Sequence, residues 1–340
     1  MPRRARLSDQ VRVPLASPDP VRAFRDAHAD RALVALPTSG TSGAPRTVVR
    51  TTDSWVCSFA EVAARTGLDD RSRVWVPGPL SSTMNLFAVV HASFAGASTA
   101  PGPGTATHAH LTPAMLARAL DREAPLAGVH VVVAGDRLDP ALSDRATFAG
   151  ARVSHYYGAA ELSFVAWGSH ADNLQPLPEV EIEVRDGRLW VRSPYLCLRC
   201  DGPPGPFRRG SDGFATVGDR GRAEDGFLRV RGRGTDAVTT AGATVHVADV
   251  EDVLRPAATG ALVVVGVPHA ELGAVVAAVL NDPSSLRQVR AAAREALPES
   301  HRPRLWFHVA ELPVTAAGKV DRAALAALLV SPGGHARRLG

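Results

Sequence analysis

The amino-acid sequence predicts an α/β protein: a large N-terminal domain with a mostly parallel sheet and an antiparallel β subdomain, followed by a small α+β C-terminal domain. In the first half, short apolar runs alternate with amphipathic segments, which is typical of parallel strands connected by helices. Asp-Gly pairs at Asp186 and Asp225 then sit between β-type runs, which indicates antiparallel hairpins. After the glycine-rich stretch 231–235, helical and strand patterns alternate again. We therefore expect domains at residues 1–234 and 235–340.

Apolar periodicity, helix caps and turn residues place the elements of the N-terminal half. Thr112 and Pro113 suit the N-cap and first position of a helix, and Gly67 suits the residue that ends one. We expect helices at 21–28, 52–64, 85–95 and 112–122, and strands at 32–36, 73–76, 129–134 and 153–157.

The same patterns continue through the C-terminal half. The first hairpin pairs 180–184 with 189–191 around its Asp-Gly turn. Past Ser331 we expect a frayed tail, as is usual for a polar terminus. The further helices are expected at 247–254, 284–297 and 322–329, and the further strands at 261–267 and 304–309.

Composition and charge exclude several classes of protein. The net charge is +4 and the arginines are scattered, so we expect no nucleic-acid partner, whereas an anionic small molecule suits this balance. The chain has three cysteines; Cys197 and Cys200 form a single CxxC without the further ligands that zinc needs. There is no signal peptide and no apolar stretch of membrane-spanning length, which predicts a cytoplasmic protein without a membrane partner.

Polar loops follow three of the predicted strands, at 38–46, 135–136 and 157–161. In the first loop, Ser, Thr and Gly offer small hydroxyls and unhindered N–H groups, which form a concave site for phosphate oxygens. A flexible linker is the alternative, but the loop directly follows a buried strand. Because ligands bind at the carboxyl ends of parallel strands, we expect the three loops to converge.

Lys319 is the single lysine among the 38 Lys and Arg residues of the chain. Lysine is a compact point charge on a flexible stem, whereas arginine is a planar fork with several donors. A lysine at this one position therefore indicates a site where an ammonium must approach one oxygen closely. A surface lysine left over from a strong arginine bias is the alternative.

Five motifs in fixed order resemble the adenylate-forming (ANL) superfamily of acyl-CoA synthetases, adenylation domains and luciferases. Together they cover the chain from about Ala32 to Leu325. The segments 38–46, 157–161, 218–221, 232–251 and 312–322 match the patterns TSG(S/T)TGxPK, YGxTE, TGDxG, GRxxDxIxxxGxxVxPxEIE and LPxTxxGKxxR.

This resemblance implies a role for each matching residue. Lys319 would bridge the substrate carboxylate and the α-phosphate of ATP, Glu161 would hold Mg²⁺, and Asp219 would accept hydrogen bonds from the ribose. Tyr157 would stack on adenine, and Thr235 would be the hinge of a mobile C-terminal domain. The implied nucleotide-binding residues are Thr38, Ser39, Gly40, Thr41, Ser42, Gly43, Arg46, Gly135, Asp136, Tyr156, Tyr157, Gly158, Asp219 and Arg233.

The chain also departs from the superfamily pattern. Arg46 replaces a lysine, Ala160 replaces a threonine, and Ser82 stands where many acyl-CoA ligases have a pocket histidine, so we assign Ser82 and Ala160 to the substrate pocket. Only 37 residues precede the phosphate loop, which implies a shortened N-terminal region. A minimal enzyme, an enzyme completed by a partner or a homodimer, and a protein that has lost activity all fit this observation.

The leading interpretation is an acyl-CoA synthetase that uses ATP, Mg²⁺ and CoA to activate a small carboxylic acid. The second is an adenylation enzyme that loads the phosphopantetheine thiol of an acyl-carrier protein. The third is a nucleotide-binding pseudoenzyme.

Overall fold

The computed structural model describes residues 10–38, 46–233, 237–240, 242–315, 318–331 and 335–340, with only the backbone of Arg233. Their contacts divide the chain into two units. The first runs to Val230 and also contains Gly318 and Lys319; the second comprises Arg231–Thr315 and Val320–Gly340.

Six helices lie in the described part of the first unit: α1 (Pro20–Ala29), α2 (Asp53–Val56), α3 (Phe59–Thr66), α4 (Thr83–Phe94), α5 (Pro113–Asp121) and α6 (Pro140–Phe148). Its strands are β1 (Val11–Arg12), β2 (Leu33–Thr38), β3 (Arg46–Thr51), β4 (Arg73–Trp75), β5 (Ser98–Thr99), β6 (His108–Leu111), β7 (His130–Val133), β8 (Arg152–Ala159), β9 (Ser163–Gly168), β10 (Gln175–Pro176), β11 (Glu181–Arg185), β12 (Arg188–Arg192), β13 (Arg199–Asp201), β14 (Arg208–Arg209), β15 (Ala215–Thr216), β16 (Asp219–Glu224) and β17 (Phe227–Arg233), which ends past the unit boundary.

A seven-stranded sheet forms the centre of this unit, with strand order β10-β9-β8-β7-β6-β4-β5. Strands β4 to β8 are mutually parallel, whereas β9 runs antiparallel to β8 and β10 runs antiparallel to β9. All four residues of β7 are buried, as expected for a parallel strand with both faces covered. Helices α5 and α6 pack an apolar cluster against one face of the sheet, and the aromatic-rich core lies on the other.

Two further sheets carry the antiparallel subdomain and the phosphate-type loop. One has the order β14-β15-β12-β16-β17 with β11 beside β12, and the other has the order β1-β2-β3-β13. The predicted hairpins at Asp186-Gly187 and Asp225-Gly226 are present, and all four turn residues have positive φ.

Two details of the prediction for the first unit are changed. Strands β2 and β3 are an antiparallel hairpin outside the central sheet, so loop 38–46 does not leave a parallel strand beside the other two loops. The apolar run of β2 is compatible with a parallel or an antiparallel strand, so its direction could not be predicted from the sequence. The helix expected at 52–64 is divided into α2 and α3, because Ser54 and Ser58 hydroxyls donate to the carbonyls of Thr51 and Trp55 and compete with helical bonds.

The second unit contains α7 (Val247–Leu254), α8 (Leu286–Ala296), α9 (Arg322–Val330), β18 (Ala237–Thr240), β19 (Ala243–His246), β20 (Leu262–His269), β21 (Gly273–Leu280), β22 (Leu305–His308) and β23 (Arg337–Arg338). Its sheet has the order β19-β18-β21-β22-β23, with β20 also paired to β21. Apolar clusters cover both faces of this sheet, one with α7 and α8 and the other with α9.

The tail of the chain differs from its prediction, because Arg337 and Arg338 pair with His308 and Phe307 instead of fraying. The sequence analysis also missed β21, whose Ala/Val-rich residues are mostly buried and show no polar alternation. With these corrections, the predicted α/β class and the α+β character of the C-terminal part are confirmed.

Candidate active site

The hairpin of β8 and β9 carries five of the predicted site residues. Its register shifts between Tyr157 and Gly158, and a Cβ on Gly158 would lie only 2.0 Å from the carbonyl oxygen of Ser163, so the close approach of the strands requires glycine. The turn that follows contains Ala160, which is half-buried, and Glu161. This local geometry places Tyr157 and Glu161 on one short hairpin.

Tyr157 is joined to Asp219, which comes from the antiparallel subdomain. The tyrosine hydroxyl donates a hydrogen bond of 2.7 Å to Oδ2 of Asp219, whose side chain is largely buried at the start of β16. The structure thus brings together two residues that the sequence assigned to the adenine and the ribose of one nucleotide.

Tyr156 points to the opposite side of β8. Its ring centroid lies 4.5 Å from that of Phe164 and 5.7 Å from that of Trp167, and burial raises the pKa of its hydroxyl above the usual value. The side chain therefore packs in the aromatic core, and its predicted nucleotide contact is not part of the Tyr157–Asp219 pair.

Glu161 is 7% exposed, and no described residue donates a hydrogen bond to its carboxylate. A fully buried cation, Arg50, interacts with it electrostatically but directs its hydrogen bonds to Ser163 Oγ (2.6 Å) and the carbonyl of Tyr195 (2.8 Å). Burial lowers the pKa of Arg50 to about 10, which still leaves the guanidinium charged at neutral pH. Arg50 was not predicted as a site residue, because nothing in its sequence surroundings distinguishes it from the other arginines.

Lys319 lies beside the loop after β7. A Cβ on Gly135, whose φ is +90°, would be 3.4 Å from Cε of Lys319 and 3.6 Å from Cγ2 of Thr112. Thr112 Oγ1 in turn donates a hydrogen bond of 2.7 Å to the carbonyl of Gly318. Thr112 was predicted only as a helix cap, a role that it also fills by accepting from the N–H of Met115 at 3.3 Å.

Asp136, next to Gly135, is exposed, and its carboxylate accepts a hydrogen bond from the N–H of Arg137. The lysine, the glycine and the threonine therefore form a contact group at the carboxyl end of β7, and Asp136 lies at its solvent side.

Thr38 and Arg46 face each other across the β2–β3 hairpin, and Thr38 Oγ1 donates to the carbonyl of Arg46 at 3.2 Å. The Arg46 side chain is 7% exposed and packs so closely on Gly205 that a Cβ there would lie 1.4 Å from Nη1. The predicted phosphate-loop residues Ser39, Gly40, Thr41, Ser42 and Gly43, the hinge residue Thr235 and the side chain of Arg233 lie outside the described residues.

The predicted substrate-pocket residue Ser82 precedes α4 and makes no side-chain cap for it. Three residues on, the buried side chain of Asn85 donates to the carbonyl of Pro79 at 2.9 Å, while its Oδ1 has no hydrogen-bond partner in the described structure. Asn85 Nδ2 fills the space beside Gly78, where a Cβ would be 2.2 Å away. A buried acceptor without a described partner therefore lies three residues from Ser82, which was predicted to line the substrate pocket.

The residues present fit a magnesium ion that arrives with a nucleotide. Within the described ranges, no group of three or more His, Cys, Asp or Glu residues could hold a metal alone. Magnesium commonly takes one or two protein carboxylates and completes its octahedron with phosphate oxygens and water. Glu161, largely buried and without a described hydrogen-bond donor, suits this shared coordination.

A protein-family model described as "AMP-binding enzyme" matches residues 4–197, more than half of the chain. The chain belongs to this family. The family match and the structural similarities below confirm the resemblance to the adenylate-forming superfamily. None of the described helices is long and apolar enough to cross a lipid bilayer.

Similar proteins include an uncharacterized acyl–CoA ligase of Bacillus subtilis, YhfT, with 27% identity over 84% of this chain and 66% of the ligase. A probable non-canonical nonribosomal peptide synthetase of Salinispora arenicola, CymA, is 29% identical over 90% of this chain and 4% of that protein. The crystal structure of ATP-bound MatB from Rhodopseudomonas palustris has the same fold (TM-score 0.71, 23% identity), with 86% of this chain and 67% of MatB covered. The chain thus spans about two thirds of YhfT and of MatB.

Proposed function

We propose that the protein activates a small carboxylic acid with ATP and transfers the acyl group to the thiol of CoA. The contact group of Lys319, Gly135 and Thr112 carries the proposal. A site that acts on the acid and the nucleotide together needs both sets of residues in one place. The contact group lies in the same unit as the Tyr157–Asp219 pair and Glu161.

In this proposal, the first step joins the acid to the α-phosphate and releases pyrophosphate. Tyr157 stacks on the adenine and Asp219 accepts from the ribose, which fixes the nucleotide. A carboxylate that approaches a phosphate meets like-charge repulsion, and the Lys319 ammonium offsets it at both groups. The hydrogen bond from Thr112 to the Gly318 carbonyl orients the backbone next to the lysine.

Glu161 would hold Mg²⁺ against the nucleotide phosphates; when bound, the ion neutralises the charge that develops on them. The buried guanidinium of Arg50 keeps the hairpin turn in place through its hydrogen bonds to Ser163 and Tyr195. The second step, attack by a thiol, requires that Lys319 withdraw, for which we propose rotation of residues 235–340 about Thr235.

The second candidate acceptor is the phosphopantetheine thiol of a carrier protein. The similarity to the nonribosomal peptide synthetase CymA over 90% of this chain favours it. The activation step is the same for both acceptors, so they differ only in the protein or cofactor that presents the thiol.

The activation step is tested by acid-dependent release of pyrophosphate over a panel of small carboxylic acids. Lys319→Ala should lower kcat/KM by about 10²–10³-fold, because it removes a charge aimed at the transition state. Lys319→Arg should lose most of the activity too, since a guanidinium has neither the reach nor the shape of an ammonium. Arg287→Ala is the matched control, because Arg287 is an exposed cation on α8 and belongs to the second unit, which contains none of these residues.

The absence of acid-dependent pyrophosphate release in the wild type, with ATP still bound, would favour the pseudoenzyme. Activity of Lys319→Ala equal to that of Arg287→Ala would contradict the proposed role of the lysine. Offering CoA and a phosphopantetheinylated carrier protein separately then identifies the acceptor, since acyl-CoA formed without carrier protein excludes carrier loading as the sole route.

A further inference from the structure

The side chain of Asn85 is almost completely buried, yet one of its two polar atoms has no described partner. The residue is 1% exposed and lies in the first turn of α4, which begins at Thr83. Its Nδ2 donates to the carbonyl of Pro79 at 2.9 Å, whereas no described residue donates to Oδ1. A buried acceptor without a donor costs stability, so a bound group that supplies the donor would remove this cost.

The orientation of the Asn85 amide is determined by its neighbours. The carbonyl of Pro79 accepts two hydrogen bonds, from Asn85 Nδ2 and from the N–H of Ser82 at 3.1 Å. Turning the amide by half a rotation would place Oδ1 against that carbonyl, and two acceptors repel each other. The atom without a partner is therefore the oxygen, and only a hydrogen-bond donor can satisfy it.

The amide of Asn85 lies close to the residue that precedes Lys319. A Cβ on Gly78 would be 2.2 Å from Asn85 Nδ2 and 3.4 Å from Cε of Met115. The same Met115 methyl would be 2.6 Å from a Cβ on Gly318. All these residues belong to the first unit. The Met115 methyl therefore lies between Gly318, next to the lysine, and the glycine against which the Asn85 amide packs.

We propose that Asn85 Oδ1 selects acids that carry a hydroxyl or N–H group in addition to the carboxylate. The inference rests on the proposed function, in which Lys319 holds the carboxylate. The donor group of the acid then completes the hydrogen bonding of Asn85. An acid with a methyl group in place of the donor is rejected, because the buried oxygen stays unpaired.

The side chain of Met115 is the cover that a bound acid displaces. Met115 is half-buried, and methionine is unbranched and adapts its conformation easily. Its methyl lies between Gly318 and Gly78, so a rotation of the side chain opens the space between the lysine and the asparagine. The backbone that carries Asn85 stays in place, because the Pro79 carbonyl remains bonded to Ser82 and to Asn85 Nδ2.

The experiment uses pairs of acids in which a hydroxyl replaces a methyl group of similar size. The pairs are lactate and isobutyrate, 3-hydroxypropanoate and butanoate, and each ring isomer of hydroxybenzoate with its methylbenzoate. Acid-dependent pyrophosphate release gives kcat/KM for every acid with the wild type, Asn85→Leu and Asn281→Leu. Asn281 is the matched control, because its Oδ1 also has no described donor but the residue belongs to the second unit.

The wild type should prefer the hydroxyl member of at least one pair by about 10²-fold or more in kcat/KM. Asn85→Leu should lose this preference, with kcat/KM falling for the hydroxyl acid and staying level or rising for its methyl partner. Asn281→Leu should keep the preference of the wild type. Asn85→Ala is a second variant that adds no bulk, and it should lose the preference as well.

Two further measurements make the result independent of turnover and of misfolding. Calorimetric binding of the same acids in the presence of AMP should show the same preference, whether or not pyrophosphate is released. The thermal midpoint of each variant without ligand shows that it is folded before its preference is compared with that of the wild type.

The proposal is overturned if no hydroxyl acid exceeds its methyl partner in turnover or in binding, or if both Asn85 variants keep the preference. A change confined to the KM for CoA would also overturn it, since the donor would then belong to the thiol substrate. Pyrophosphate release without a preference sinks this inference alone. Preferential binding of a hydroxyl acid without pyrophosphate release sinks the proposed function alone.

Discussion

Glu161 and Glu251 are both almost buried, at 7% and 5% exposure, but their carboxylates have different surroundings. Glu251, on α7 of the second unit, accepts from the N–H of Val264 at 2.7 Å and from both terminal nitrogens of Arg322 at 2.6 and 3.1 Å. Arg255 adds a fourth bond at 3.3 Å. No described residue donates to Glu161, although the fully buried Arg50 is close enough to influence it.

The difference separates a structural carboxylate from one that is available to a ligand. A buried charge normally requires hydrogen bonds and a counter-ion, and Glu251 has both. Burying Glu161 with neither a described donor nor an ion pair costs stability, and such a cost is typical of functional sites. We therefore expect substitution of Glu161 to affect chemistry, and substitution of Glu251 to affect folding.

The largest effect is expected for Glu161→Gln. The amide keeps the size of the side chain but loses its negative charge, so acid-dependent pyrophosphate release should fall by about 10²–10³-fold. The dependence on Mg²⁺ concentration should shift upward in any residual activity. The urea midpoint should not fall, because the substitution removes a buried charge and breaks no described hydrogen bond; a large drop would mean that Glu161 is a structural residue like Glu251.

A smaller effect, on stability, is expected for Glu251→Gln. Arg322 is one-third exposed and keeps its bond to the Val264 carbonyl, so the main loss is of charge-assisted hydrogen bonds at the buried glutamate, which should destabilise the second unit by about 1–3 kcal/mol in urea unfolding. Glu251→Met combined with Arg322→Met is the control, since an apolar pair should recover part of the loss. Unchanged stability of Glu251→Gln would remove the contrast between the two glutamates.

The smallest effect is expected for two buried histidines of the first unit, which differ in their hydrogen bonds as the two glutamates do. His130 uses both ring nitrogens, with Nδ1 donating to Thr66 and Nε2 accepting from Ser154, each at 2.9 Å. His110 has no described hydrogen bond. Burial lowers the pKa of His130 to about 4 and that of His110 to about 3, from 6.5. The unfolded chain therefore binds protons below pH 6.5 that the folded protein does not.

Stability should thus be intact above pH 6.5 and fall as the pH drops from 6.5 towards 4, by about 1.4 kcal/mol per pH unit for each such histidine. His110→Phe should lower this slope with little change in stability at pH 7, because it leaves no partner unpaired. His130→Phe should lower stability at pH 7 as well, by about 1–3 kcal/mol, since the Ser154 hydroxyl loses its partner, although the Thr66 carbonyl keeps the bond from Nε2 of His108 at 3.0 Å. Urea unfolding between pH 7 and pH 4.5 measures both; an unchanged slope in His110→Phe would show that His110 is charged in the folded protein.

The sequence predicted those features that depend on neighbours along the chain. The bounds of α7 match the prediction, and both Asp-Gly turns adopt the left-handed conformation that the pair favours. The pairing of β13 with β3 joins residues about 150 positions apart, and no local pattern encodes such a contact. For the same reason, a motif could identify Glu161 as a site residue but could not predict its hydrogen bonding. Only the fold shows that Glu251 is hydrogen-bonded and that Glu161 has no described donor.

The residues of the candidate site were likewise predicted only where a pattern along the chain identifies them. Tyr157, Asp219 and Lys319 were assigned from motifs and Gly135 from the loop after a predicted strand, and the structure adds their contacts with one another or with Thr112. The buried Arg50 had no signal in the sequence, because an arginine among 37 others in the basic set is uninformative by itself.

The presence of one lysine among 340 residues also makes position 319 addressable by chemistry instead of mutagenesis. O-Methylisourea converts a lysine side chain to homoarginine, and here it has one ε-amine to modify. The product carries a guanidinium on the full lysine stem, at the place where Cε approaches Gly135. The ammonium at position 319 can therefore be converted to a guanidinium in the folded protein, without a mutation. Because the charge and the length of the stem are kept, any change in activity then reports the effect of the shape of the cation.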